Sequence, residues 1–139
     1  MESAQTNLQH FASRAATASR EDAEAFFDST LRELHAALAR PTANGSALFT
    51  EALAAIERVP AQYVTPARVE CLLAIAQHLY LTGQPLAAVV PAKEASDFAR
   101  QTGDAALLRK ALTFEGIVLA DSGNLPGAIE CYASALEIV

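Results

Sequence analysis

The sequence predicts an all-α fold of stacked antiparallel helix pairs, about seven helices in a single domain over residues 1–139. Three observations carry that expectation. The first is repetition. Residues 109–139 form two amphipathic segments either side of a Ser-Gly-Asn-Leu-Pro turn at Gly123, and the same skeleton lies forty residues upstream around Gly83. Leu72 corresponds to Leu112, Ala76 to Gly116, Leu79 to Leu119, Ala88 to Ala128, Val89 to Ile129 and Ala95 to Ala135. A period in this range marks helical hairpins stacked on one another. The second observation is composition. The chain holds 31 alanines in 139 residues and no Trp, which favours closely approaching helices over a sheet rich in β-branched residues. The third is apolar spacing at three and four residues in every long segment between Gly and Pro signals.

Taken in order, residues 5–18 carry Leu8, Phe11, Ala12 and Ala15 at helical spacing and read as an N-terminal cap helix. Ser19-Arg-Glu-Asp22 resembles a capping box. It opens a helix over 22–39 whose stripe is Ala23, Phe26, Phe27, Thr30, Leu31, Leu34 and Leu38. Pro41 stops that helix, Asn44-Gly45 turns the chain, and Ser46 caps a third helix that ends at Val59-Pro60. Thr65 as N-cap and Pro66 at the first helical position start a fourth, which closes at Gly83. The next, over 85–101, contains Pro91, so a bend near its start is expected. Asp104 caps a helix over 105–122, and a last helix runs from 126 to 139 with Ile138 and Val139 in register. No stop signal follows Val139, the pattern expected of a segment of a longer protein with an open apolar face, a route to self-association.

A hydrophobic content of 52% argues against disorder. The formal charge of −6 is shared evenly, with five basic and eight acidic side chains in each half. Without a basic face, nucleic acid is not an expected partner. No run approaches the ~18 apolar residues of a membrane span, and the N-terminus lacks the basic and apolar regions of a signal peptide. A cytoplasmic protein is the expectation. Cys71 and Cys131 lie sixty residues apart on apolar helix faces and read as buried reduced thiols.

The spacing of Leu112, Gly116, Leu119, Gly123, Ala128, Tyr132 and Ala135 resembles that of the tetratricopeptide repeat. Residues 66–101 give a similar copy at Leu72, Ile75, Ala76, Leu79, Gly83, Ala88 and Ala95, and 105–139 the second. Departures are Leu72 and Leu112 in place of Trp, Glu115 at a normally apolar position, Ala92 for the aromatic, Arg100 where Pro often ends the unit, and a forty-residue period. The pair over 22–58 then reads as a diverged first repeat. The resemblance implies a right-handed α-α superhelix and a non-catalytic scaffold that binds a protein or peptide in a concave groove. Leu73, Gln77 and Tyr80 of one unit, with Lys110, Thr113, Phe114, Ile117 and Asp121 of the next, would line it. Tyr80 and Phe114 would anchor a ligand and Lys110 contact its charge. The long units and the Thr102-Gly103-Asp104 turn also resemble repeats in bacterial regulatory proteins, such as sensor regions ahead of diguanylate cyclase domains. That alternative makes the chain a regulatory or dimerisation segment whose catalytic domain follows Val139.

Catalytic chemistry finds little footing in these residues. His10, His35 and His78 are scattered, and Cys71 with His78 supplies only half of a structural zinc set. Neither a phosphate-binding Gly-rich loop nor a metalloprotease or nucleophile-elbow motif is present. The expectation is therefore no enzyme, no cofactor and no metal.

Overall fold

The computed structural model describes residues 15–40 and 45–138, and all regular secondary structure among them is helical. After a 3-10 turn at Ala15–Thr17 come α1 (Arg20–Ala39), α2 (Gly45–Arg58), α3 (Pro66–Leu81), α4 (Pro85–Thr102), α5 (Ala105–Asp121) and α6 (Leu125–Glu137). The expected helix over 5–18 lies outside the described residues except for its end, which forms the 3-10 turn. Pro41 and Asn44 also lie outside them.

Four helices start on a side-chain cap, three of them the Ser19, Thr65 and Asp104 that the sequence nominates. Ser19 Oγ accepts from the Asp22 N–H at 3.1 Å, Thr65 Oγ1 from Arg68 at 3.2 Å, Asp104 Oδ1 from Leu107 at 3.0 Å and Asn124 Oδ1 from Gly127 at 3.0 Å. Each satisfies a donor that the first helical turn leaves without an intrahelical partner. Two boundaries differ from expectation. Gly45 already opens α2, so Ser46 sits inside its first turn, and its hydroxyl meets His78 Nε2 at 3.3 Å instead of capping. At the other end α6 stops at Glu137, and Ile138 has extended backbone angles. Pro91 lies inside α4, which begins at Pro85 and runs on to Thr102, with the proline ring buried on its inner face.

The turns α3–α4 and α5–α6 are the same object forty residues apart. In the first, Gly83 N–H donates to Tyr80 O at 3.2 Å and Gln84 N–H to Leu79 O at 2.8 Å. In the second, Gly123 donates to Ala120 at 3.2 Å and Asn124 to Leu119 at 2.8 Å. This paired bonding is the Schellman motif, which needs a left-handed residue after the helix; Gly83 and Gly123 supply it with φ of 81° and 95°.

Small residues set the distance between these helices. Ala76, Ala88, Ala92, Ala95, Ala99, Ala111, Ala128 and Ala135 are all buried. The largest interfaces are α3–α4, α4–α5 and α5–α6, and α3 also touches α5, its counterpart one unit on. Gly116 leaves no room for a side chain: a Cβ there would lie 2.6 Å from Tyr132 Cε1. The first part of the chain packs differently. Phe27, Leu34 and Ile56 fill a core with Val69, Leu72 and Ile75, and α1 lies mainly on α3, with α2 touching both more lightly.

Arg68 joins these two parts. Its buried guanidinium donates from Nη1 to Pro60 O at 2.9 Å and Tyr63 O at 3.0 Å, and from Nη2 to Ile56 O at 3.3 Å and Val59 O at 3.1 Å. Those carbonyls include the end of α2, where a cation also complements the helix dipole. The group is stacked 4.3 Å from the Phe98 centroid and 5.2 Å from Phe27. Burial pulls its pKa below the ordinary arginine value, and the Glu94 charge partly offsets that. We predict that Arg68→Met lowers the unfolding free energy in urea by about 2–4 kcal/mol, because buried carbonyls lose charge-assisted partners. Arg68→Lys should recover only part of it, since an ammonium lacks the planar fork. A loss below about 0.5 kcal/mol for Arg68→Met would remove the clamp from the description.

Candidate functional site

The inner faces of α3 and α5 enclose a cleft of about 420 Å³. Helical periodicity explains who lines it. Leu73 and Gln77 are one turn apart on α3, while Ala106, Lys110, Thr113, Phe114 and Ile117 follow at three and four residues on α5, with Arg109 beside them. Six of the eight residues expected from the repeat spacing thus share one cavity. Leu73 is buried and forms floor; Phe114 and Ile117 are half-buried walls. Gln77, Arg109 and Thr113 are exposed and form a polar rim.

Tyr80 and Asp121, the remaining two, do not line the cavity; Tyr80 adjoins Phe114, and Asp121 adjoins Tyr80. The Tyr80 ring meets Phe114 edge-on with centroids 6.0 Å apart. A hydrogen bond to Asp121, with that carboxylate's charge, holds the Tyr80 phenol above its ordinary pKa. Tyr80 and Phe114 are therefore engaged with each other, and Phe114 also packs against the core.

Lys110 has a partner that the helix pattern of α5 does not reveal. Its Nζ lies 2.9 Å from both carboxylate oxygens of Glu70, which stands forty residues earlier at the equivalent position of α3. The charge ties the two units together, and Lys110 also lines the cleft. Arg109 has the freer charge at that end. Ala106 and Arg109 escaped the sequence reading, although both follow from extending the α5 face by one turn.

Elsewhere the reactive side chains are turned to structural use. Cys71 Sγ donates to Phe27 O at 3.4 Å, toward α1, whereas His78 faces α2 and stacks on Phe49 with centroids 4.0 Å apart and planes 1° from parallel. The Cys71/His78 pair therefore serves two different neighbours. Among the described residues no three His, Cys, Asp or Glu side chains group as metal ligands would. Burial, then the Asp28 and Glu70 charges, push the Cys71 thiol up. Burial and the adjacent Glu115, by charge and hydrogen bond, push Cys131 up to about 11. Both stay protonated near neutral pH, which removes the nucleophilic thiolate. The half-buried Glu115 thus has a partner at a position where the repeat pattern favours an apolar residue.

A second, more polar concavity of about 690 Å³ lies where Glu57, Glu94, Asp97 and Phe98 surround Arg68. Burial, followed by the Glu57 charge, raises the Glu94 carboxyl while Arg68 lowers it. Among the described residues no helix is long and apolar enough to cross a membrane. No protein-family model matches the chain, and no curated protein or solved structure does either.

His78 gives a test of this packing. Burial depresses its folded pKa below 6.5, so the neutral ring's stabilising contribution is full above the unfolded value and is lost as pH falls through the folded one. Between about pH 7.5 and pH 5 the wild-type melting temperature should fall further than that of His78→Gln. Equal losses would show that the stacked imidazole is not the titrating group.

Proposed function

We propose that the chain is a non-catalytic scaffold of tetratricopeptide type, which takes a peptide or a helix of a partner protein in the α3–α5 cleft. The supporting observation is the convergence of equivalent faces from two units forty residues apart on one cavity with an apolar floor and a polar rim. Leu73, Phe114 and Ile117 offer a partner's apolar side chain a place out of water, with each Å² buried contributing about 25 cal/mol. Gln77, Thr113 and Arg109 stand where they can hydrogen-bond the flanking backbone or polar groups. The cleft is built on two helices fixed by the Glu70–Lys110 pair and the Tyr80–Phe114 contact, so little ordering is left to be done on binding.

The test is selection of displayed peptides on the intact chain, followed by titration of the synthetic peptides. Ile117→Glu should weaken the selected peptides about 100-fold, as loss of a central apolar contact does at an interface, without altering the helical circular dichroism. Amide shifts on binding should fall on Leu73, Gln77, Phe114 and Ile117. Peptides that bind Ile117→Glu as tightly as the wild type would overturn the proposal.

A further inference from the structure

The charge lining the α3–α5 cleft is all of one sign. Its eight lining residues include two cations, Arg109 and Lys110, and no acid. The chain around it is the opposite, with a formal charge of −6 and acids in excess in both halves. Both cations stand at one end. Glu70 meets Lys110 and, further along both helices, Tyr80 meets Phe114, so α3 and α5 run parallel. The cleft therefore has a basic end near the helix N-termini. Its other end lies toward Asp121, which is taken up by Tyr80.

The acids nearest the basic end are already engaged. Glu70 holds Lys110 Nζ at 2.9 Å from both carboxylate oxygens, and Asp104 accepts from the Leu107 N–H as the cap of α5. Neither lines the cleft. Arg109 differs from Lys110: it is exposed, and among the described residues its side chain makes no hydrogen bond or ion pair. With Glu70 set against Lys110, the guanidinium of Arg109 is the uncompensated charge of the cleft.

We propose that Arg109 reads an acidic side chain of the bound peptide while Leu73, Phe114 and Ile117 take an apolar one beside it. This rests on the cleft being the peptide site. The helix rise sets the spacing. Phe114 and Ile117 lie about 7 and 12 Å along α5 from Arg109, and an extended peptide advances about 3.3 Å per residue. The carboxylate thus belongs two to four residues from the apolar side chain. A basic residue there would meet like charge, and one near Asp121 would meet a carboxylate that already has its partner, so the sign of the recognition is set at the Arg109 end.

The probe is a random twelve-residue peptide library fused through its C-terminus to the display protein, so every carboxylate in it is a side chain. On the intact chain, Asp and Glu should be enriched two to four residues from the selected apolar residue. A selected peptide should bind about fivefold tighter than its Glu→Gln counterpart, the upper range for an exposed ion pair. Arg109→Glu changes an exposed position near the start of α5, where a carboxylate suits the helix dipole, so helical circular dichroism should hold. The variant should keep the apolar preference but enrich Lys and Arg in place of the acids. Acids not enriched by the wild type, or the same charge preference in both chains, would overturn this proposal alone. So would a library with free C-termini that yields acids at its last position only. A chain that selects no apolar residue would overturn it together with the cleft as a peptide site.

Discussion

Two helices can run side by side only as closely as the side chains between them permit, and from α3 to α6 that separation is set by methyl groups. Ala88, Ala92, Ala95 and Ala99 make one buried face of α4, and Ala76, Ala111 and Ala128 stand in the neighbouring helices. Contacts of this kind draw backbones toward the short end of the 8–10 Å range for packed helices. Each alanine buries little area alone, so cohesion comes from continuity of the seam and from its intolerance of larger groups. At Gly116 the Tyr132 ring fills the space that a methyl group would need. From this constraint follows the cleft. Units that repeat the same seam bring equivalent faces of α3 and α5 together, with Leu73, Phe114 and Ile117 between them.

Arg68 answers a different problem, that of joining the core around Phe27, Leu34 and Ile56 to the alanine seam of the later helices. The last turn of α2 and the segment that leads to α3 present a group of carbonyls to one place. A guanidinium, with its fixed fork of donors, reaches four of them at once. Phe27 and Phe98 on its faces come from that core and from α4 respectively, so one side chain fixes the position of α3 relative to both. Since α3 is one wall of the cleft, the geometry of the cleft depends on a group that never touches it.

Much of this was legible in the residues because the signals are local. Thr65, Asp104 and Gly83 announce helix ends through chemistry that acts within three or four positions, and the repeat register predicts burial at nearly every paired site. Val89 and Ile129 are the informative exception: the pair is alike in type but unlike in exposure, because Val89 packs against Leu119, Ala128 and Cys131 of the next pair. What the sequence hid is long-range. Arg68 looks like an ordinary first-turn cation after Pro66, and nothing in its neighbours names the carbonyls of residues 56–63. Lys110 was read along its own helix, where no partner exists. Reading charge as well as apolar spacing at forty residues would have found Glu70. Ser46 has all the credentials of a cap, yet its hydroxyl is taken up by His78 on another helix.

The cleft follows from one premise, that residues 66–102 and 105–137 are equal units set side by side with α3 against α5. Ring-to-ring nuclear Overhauser contacts in the wild-type protein measure that premise without any substitution, and three tyrosines and six phenylalanines keep the assignment simple. With centroids 6.0 Å apart, Tyr80 and Phe114 ring protons should give clear cross-peaks across the two units. Fully assigned rings with no cross-peak between them would mean that the units do not stack in this way.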